Sequence, residues 1–244
     1  IIDIVENGNC AIEDKVEIVE LYSEDFGTGT GRSSNPYVEN HLYDTNGAIP
    51  DGSYAIVSSN APGLPKYNRT DQNGNVDANI DEFTGPAGGS TNGRYLSINM
   101  VNTGNTEFYR HRLNNLIIGA DYRFRLDMAG LCNGCADAPI FRLEVQDTSG
   151  NVLKTVSSSS LGVTNNDTWV RVNLNFTGTT DKVDIVIVND QPNGGAGNDV
   201  GVDNIVFSVL QCPASFNDPD NDGLENSVDL DSDGDGCPDV REAG

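Results

Sequence analysis

The sequence predicts an all-β protein, a jelly-roll β-sandwich that is followed by a short acidic segment of a different kind. Turn-forming residues are abundant, with 27 Gly and 10 Pro among 244 residues. Short apolar runs alternate with Gly, Asn, Asp and Ser from residue 16 to residue 210, which is typical of strands and turns. We find no window of 11 residues with the apolar period of an amphipathic helix.

Eight runs carry the strand pattern, and eight strands are enough for a jelly roll. In 170–176, for example, Val172, Leu174 and Phe176 share one face of the strand while Asn173 and Asn175 share the other. The predicted strands are Val16–Tyr22, Tyr54–Val57, Tyr95–Met100, Tyr122–Met128, Ile140–Gln146, Val170–Phe176, Val183–Val188 and Asp203–Val209.

Two further features complete the predicted sandwich. A turn at Asp147–Gly150 predicts a hairpin between Ile140–Gln146 and Val152–Val156. The stretches 27–53 and 60–93 are long, polar and Gly-rich, so they are expected to be loops that bind a partner or move.

Composition excludes several classes of partner. The chain has 14 Lys and Arg against 37 Asp and Glu, a formal net charge of −23. A nucleic acid or an anionic membrane needs cations that this surface mostly lacks. No apolar run approaches the roughly 20 residues of a membrane span, so direct membrane insertion is not expected.

The cysteines and the chain ends indicate an oxidising compartment and a longer parent protein. Five cysteines are an odd and modest number for this length. Cys132 and Cys135 favour a small loop disulfide over a redox or zinc pair, and a bridge between Cys10 and Cys212 is a second hypothesis. The sequence starts at Ile1 and stops within a repeated pattern, so we expect a piece of a longer chain.

Nothing in the sequence favours catalysis. There is no Gly-x-Ser-x-Gly elbow, and neither His41 nor His111 stands in a recognisable nucleophile and base arrangement. Gly27–Gly31 is rich in glycine but lacks the Lys and Ser or Thr of a phosphate loop. We therefore expect a protein that is not an enzyme.

The acidic segment carries two copies of a calcium-loop spacing. Residues 218–244 hold ten acids and one base, and their few apolar side chains cannot order them by burial. Calcium takes six to eight oxygens, which alternate residues of a curled loop can supply, with Gly at position 6 for the sharp bend. The first loop would use the side chains of Asp218, Asp220, Asp222 and Asp229 with the carbonyl of Leu224. The second would use Asp231, Asp233, Asp235 and Glu242 with the carbonyl of Cys237.

With these loops back to back and no flanking amphipathic helix, residues 217–244 resemble the thrombospondin type 3 calcium repeat of bacterial surface proteins. The resemblance implies a stiff, ion-filled spacer rather than a calcium sensor. The alternative is an acidic disordered tail, which the repeated Gly at position 6 disfavours.

Three segments of the larger region carry a second resemblance, over residues 16–210. They are Glu24–Gly29 after the first strand, Asn115–Phe124, and Gly197–Ile205 before the last strand. Together they resemble carbohydrate-binding-module-like jelly rolls of large secreted adhesins and enzymes from gliding bacteria.

That resemblance implies a structural calcium that staples the opening strand to the last one. The ligands would be Glu24 or Asp25 with Asp203, and Asn198 or Asp199. An Asp within an apolar strand, as at position 203, is costly unless it is paired, hydrogen-bonded or metal-bound. The alternative is that Asp203 faces water or caps a turn.

Modules of this kind stack sugar rings on exposed aromatic side chains and hydrogen-bond the hydroxyls. Trp169 is expected to pack in the core instead. The candidate ligand contacts are residues that we expect in or near long loops, namely Tyr37, Tyr43, Tyr67, Tyr109, Arg110 and Arg112.

The sequence thus predicts a lead-in over 1–15, a sandwich over 16–211 and calcium repeats over 212–244. The expected function is that of a non-catalytic, extracellular or cell-surface adhesin module that binds Ca²⁺ and surface glycans. The alternatives are a purely structural spacer and an accessory module of a secreted polysaccharide-degrading enzyme.

Overall fold

Strands form nearly all the regular structure of the described residues. The computed structural model describes residues 11–29, 32–45, 49–58, 94–100, 103–130, 139–158, 170–191 and 199–211. A 3-10 turn over Ile12–Asp14 precedes the first strand. The strands are β1 (Val16–Glu24), β2 (Leu42–Tyr43), β3 (Ser53–Ser58), β4 (Arg94–Asn99), β5 (Thr106–Asn114), β6 (Asp121–Gly130), β7 (Phe141–Gln146), β8 (Val152–Ser157), β9 (Val170–Thr177), β10 (Lys182–Asn189) and β11 (Val200–Gln211).

The strands form two sheets. The seven-stranded sheet has the order β2-β3-β4-β11-β6-β9, with β1 also paired to β11, and the four-stranded sheet has the order β5-β10-β7-β8. From β4 to β11 every connection except the β7–β8 hairpin passes from one sheet to the other. This alternation is the jelly-roll pattern, so the predicted all-β sandwich is confirmed.

The core follows the period of two in the sequence. Along β6, Tyr122 and Phe124 are buried, while Arg123 between them points to the opposite face. Phe176 of β9 and Phe207 of β11 stack on Tyr122, with ring centroids 5.5 and 5.3 Å away. Each buried aromatic ring of this kind contributes about 1.5–3 kcal/mol relative to exposure.

β5 and β2 were not among the predicted strands. β5 reads Thr-Glu-Phe-Tyr-Arg-His-Arg-Leu-Asn, with charged residues on one side and a register shift against β10 near Tyr109. The shift breaks the alternation by which a strand is recognised. Tyr109, Arg110 and Arg112 therefore lie within a strand, which corrects their expected place in or near loops.

The chain divides into two compact units. Residues Glu17–Leu210 form one compact unit, and the second unit comprises Ile1–Val16 and Gln211–Gly244, of which residues 11–16 and 211 are described.

Within the described ranges, no helix has the length and apolar character that crossing a bilayer requires.

Candidate functional site

The outer face of the four-stranded sheet carries mainly polar side chains, and the strand register decides which of them are neighbours. Opposite residues of an antiparallel pair share a face, as do alternate residues of one strand. Arg112, Asp184 and Gln146 are opposite one another on β5, β10 and β7, and the next row along contains Arg110, Val186 and Glu144. Glu107, Val188 and Arg142 form the third row.

Asp184 lies at the centre of this face between two arginines. Its side chain is only 3% exposed. Arg112 donates from Nε and Nη2 to its two carboxylate oxygens at 2.7 and 2.9 Å, and Arg110 donates from Nη1 at 2.7 Å. Burial by itself would raise the pKa of Asp184, but the hydrogen bonds from Arg112 and Arg110 outweigh it and hold the pKa below its ordinary value. Asp184 therefore stays ionised, and its carboxylate is held in place by the two arginines.

Arg110 joins Asp184 to two further groups. Its Nε and Nη2 donate to the carboxylate of Glu107 at 2.5 and 2.6 Å, and Nη2 also donates to Gln146 Oε1 at 2.9 Å. The hydrogen bonds to Glu107 and Asp184 raise the pKa of Arg110, with the bond to Glu107 as the largest cause. Beside them, Glu39 has a raised pKa because of partial burial and a hydrogen bond to Glu107.

The network continues to the far edge of the sheet. Gln146 Nε2 donates to Glu144 Oε2 at 2.5 Å, and Arg142 Nε donates to Glu144 Oε1 at 2.5 Å. Arg142 also pairs with Asp190, whose second oxygen accepts a hydrogen bond from the Ser157 hydroxyl of β8 at 3.3 Å. We call the connected set the charged strip, comprising Glu39, Glu107, Arg110, Arg112, Asp184, Gln146, Glu144, Arg142 and Asp190.

The charged strip reaches all four strands through hydrogen bonds. Four strands about 4.8 Å apart span about 14 Å across the sheet. The seven groups between Arg112 at one end and Glu39 at the other each bond neighbours on two sides, so their donors and acceptors have fixed directions before any ligand arrives. A face of this kind can form several directed hydrogen bonds to a polar ligand laid across the strands.

Tyr109 and Tyr37, two predicted ligand contacts, belong to an aromatic cluster on the opposite face of β5. Tyr22 stacks on His111 at 3.9 Å, and Tyr37 meets His111 edge-on at 4.3 Å. The hydroxyls of Tyr22 and Tyr109 are hydrogen-bonded at 2.5 Å. Burial raises the pKa of Tyr22 to about 12 and lowers that of His111. Tyr109 is fully buried, so it presents no ring face to a ligand, and the structure separates it from Arg110 and Arg112.

The remaining predicted contacts lie elsewhere. Tyr43 of β2 is 38% exposed and its ring lies 5.9 Å from that of Tyr54 in the seven-stranded sheet, away from the charged strip. Tyr67 and Trp169 lie outside the described residues.

Glu24 and Asp25, the predicted calcium ligands of the first strand, accept hydrogen bonds from their own loop. Glu24 accepts from Phe26 N at 2.9 Å and from Asn35 Nδ2 at 3.0 Å. Asp25 accepts from Gly27 N at 2.9 Å. Both carboxylates thereby shape the turn in which Phe26 adopts a positive φ of 56°.

Asp203, the predicted ligand of the last strand, is buried opposite Asp127 of β6. Arg171 holds Asp127 with two hydrogen bonds of 2.9 Å, and Asn204 Nδ2 adds a third at 3.2 Å. Asp203 Oδ1 accepts from Asn204 N at 2.7 Å, at a register shift where Asn204 has a φ of 48°. The expectation that a buried strand acid needs partners is met here by hydrogen bonds, while the predicted ion stays a prediction.

Asp199 is buried at the start of β11, and burial together with the charge of Asp51 raises its pKa to about 7. Asn198 lies outside the described residues, as do both predicted calcium loops over 218–242 and all five cysteines. Within the described ranges, no group of three or more His, Cys, Asp or Glu side chains is arranged to hold a metal ion.

None of the five acids of the charged strip was singled out from the sequence. The argument applied to Asp203 applies equally to Asp184, which interrupts the apolar run Val183–Val188. A buried acid in an apolar strand requires a partner, but the sequence does not indicate which of the 14 Lys and Arg residues supplies it. Glu107, Glu144 and Arg142 carry no such signal, because their proximity depends on strand register.

No family model and no curated protein sequence matches the chain. Similar solved structures include the EclA C-terminal domain, described as a sugar-binding protein, with 18% identity, 51% of this chain and 88% of that domain covered, and a TM-score of 0.38. The CBM22-1 xylan-binding domain from Paenibacillus barcinonensis has 12% identity, 80% and 97% coverage, and a TM-score of 0.39. The arabinose-bound MgGH51 α-L-arabinofuranosidase has 12% identity, 66% and 24% coverage, and a TM-score of 0.40.

The structural neighbours thus include carbohydrate-binding modules as well as an enzyme. At these identities and TM-scores the likeness carries no inference about what this chain binds.

Proposed function

We propose that the sandwich is a non-catalytic glycan-binding module and that the charged strip is its binding face. The observation that carries the proposal is the continuous hydrogen-bonded row of planar polar side chains from β5 to β8. Sugar hydroxyls both donate and accept hydrogen bonds, and they match carboxylate, amide and guanidinium groups whose directions are already fixed. Pre-organised groups lose little conformational entropy when a ligand binds.

The electrostatics of the charged strip favour binding over hydrolysis. A glycosidase needs one carboxyl with a raised pKa and a second one about 5–10 Å away. The pKa of Asp184 is lowered rather than raised. Glu39 has a raised pKa but is hydrogen-bonded to Glu107, which leaves no room for a glycosidic bond between the two carboxyls.

The test is a glycan array with the whole chain, followed by calorimetry on any sugar that binds. Arg112→Lys keeps the charge beside Asp184 but removes the two-pronged contact. Arg171→Lys makes the same change beside Asp127 on the other sheet and serves as the matched control. We expect Arg112→Lys to weaken binding about tenfold or more and Arg171→Lys to leave it unchanged, with both proteins folded by thermal melting. Equal effects of the two variants, or no binding to any glycan, would refute the proposed face.

For the C-terminal segment we propose calcium-rigidified repeats that set the reach of the sandwich from a cell surface, as in an adhesin. The support is the doubled spacing of Asp and Gly over 218–242. An ion that binds only the ordered form stabilises it by about 2.7 kcal/mol at 100 times the dissociation constant. Proteolysis of residues 212–244 should therefore be slow in calcium and fast in chelator. A double variant, Asp220→Asn with Asp233→Asn, should be cut rapidly in both conditions, whereas unchanged resistance in chelator would contradict the repeats.

A further inference from the structure

The charged strip has more acids than bases. Within the described residues it contains the five carboxyl groups of Glu39, Glu107, Glu144, Asp184 and Asp190. Three guanidinium groups face them, those of Arg110, Arg112 and Arg142. The strip therefore carries a formal excess of two negative charges when every carboxyl is ionised, and of one when Glu39 and Glu107 share a proton, on a chain whose net charge is −23.

Each guanidinium group already pairs with at least one of these carboxylates. Arg110 directs its Nε and Nη2 at Glu107, and Arg112 directs its Nε and Nη2 at Asp184. Arg142 is held in the same way by Glu144 and Asp190. The N–H donors that remain, chiefly those of the half-exposed Arg112, lie beside a carboxylate that already neutralises the guanidinium, so an acidic group of a ligand that approaches them also approaches like charge.

Part of the capacity left for a ligand is capacity to accept hydrogen bonds, at the carboxylates of Glu39, Glu107 and Asp190, which are exposed or half-buried. Each carboxylate oxygen has two acceptor sites, and most of the strip oxygens receive one or two hydrogen bonds from within the protein. A ligand that supplies donors, such as the hydroxyls of a sugar, matches these free acceptor sites. Sulfate esters and uronate carboxylates supply acceptors alone and meet like charge.

We propose that the charged strip selects uncharged, hydroxyl-rich glycans and excludes glycans that carry uronate or sulfate groups. This inference rests on the proposed glycan-binding function and adds the ligand class. The exclusion has a local cause, the excess of acids in the strip and the pairing of each arginine with an acid, and a smaller general cause, the net charge of the chain.

The test uses oligosaccharide pairs whose members differ only in acidic groups. The pairs are oligogalacturonate with its methyl ester, and sulfated with desulfated galactan oligosaccharides. Calorimetry on the whole chain at pH 7 should show that the neutral member of a pair binds at least tenfold more tightly than the acidic one. Higher salt should narrow the difference, because it screens surface charge.

Two variants separate the local cause from the general one. Glu107→Gln removes one strip charge and releases Arg110, so the preference for the neutral member should fall several-fold. Asp121→Asn makes the same change in net charge on β6 of the other sheet and should leave the preference unaltered. An equal effect of the two variants would overturn the local explanation.

The outcomes distinguish the inference from the function on which it rests. If acidic members bind as tightly as neutral ones, and Arg112→Lys abolishes both, the strip binds glycans but the inferred ligand class is wrong. If no member of any pair binds, or if Arg112→Lys leaves binding unchanged, the proposed function itself fails.

Discussion

Asp184 in the four-stranded sheet and Asp127 in the seven-stranded sheet are both buried beneath arginine, but the two carboxylates have different surroundings. Asp184 of the four-stranded sheet is held by Arg110 and Arg112, and its in-register neighbours are Arg112 and Gln146. Asp127 of the seven-stranded sheet is held by Arg171 and one amide, and one in-register neighbour is a second acid, Asp203. Doubled support makes Asp184 part of an extended network, whereas Asp127 relies on a single guanidinium.

The largest expected difference between the sheets is in stability. Arg171→Ala should lower the free energy of unfolding by about 3 kcal/mol, because Asp127 is fully buried and would keep only the hydrogen bond from Asn204. Arg112→Ala should cost less, because Arg110 still pairs with Asp184. Urea unfolding of both variants measures the difference, and equal losses would show that the two carboxylates do not differ as described.

Acid unfolding sharpens the comparison. Since the folded pKa of Asp184 is depressed, its contribution to stability is fully present above the unfolded value of about 3.9 and is lost as the pH falls through the folded value. In Arg112→Ala, burial is opposed by Arg110 alone, so the folded pKa rises and the loss should begin at a higher pH. Melting temperatures from pH 6 to pH 2 should therefore diverge between the variant and the unmodified protein. Parallel curves would mean that Arg112 does not govern the ionisation of Asp184.

The smallest expected effect concerns Glu39. A folded pKa that is raised means that the charged form is unfavourable, so stability is highest below the unfolded pKa and falls as the pH rises through the folded one. Glu39→Gln should therefore stabilise the protein at pH 7, by about 0.5 kcal/mol for an exposed side chain. Glu20→Gln, which changes an exposed glutamate of β1, is the control for net charge and should have no comparable effect. A stabilisation that disappears at pH 3 would support the assignment, and one that persists would contradict it.

The sequence predicted the strands that bury a regular apolar row. The period of two in 170–176 and the turn at Asp147–Gly150 are both present in the structure, as β9 and the β7–β8 hairpin. β5 was missed because its outer side chains are charged and its register shift interrupts the alternation. The strand with the least regular pattern is the one that contributes Arg110 and Arg112 to the candidate site.

The candidate site was predictable only in part for a related reason. Arg110 and Arg112 were singled out as hydrogen-bonding residues in or near a long loop, and the structure places them in a strand instead. The argument made for Asp203 could also have been applied to the strand acid Asp184. The contact of Asp184 with the two arginines and Gln146 depends on the pairing of β10 with β5 and β7, which brings together residues more than 30 positions apart. The expected aromatic contacts failed at Tyr109 because one residue along a strand changes the face, and its ring points away from the neighbouring Arg110.

The most direct test of the glycan-binding face is a nuclear magnetic resonance titration with a sugar identified on the array. Backbone amide shifts should change along β5, β10 and β7, at Arg110, Asp184 and Glu144 above all. The amides of Arg171, Asn173 and Asn175 on β9 should stay unchanged. Perturbations confined to β9 and β6, with none on the four-stranded sheet, would contradict the assignment of the charged strip as the binding face.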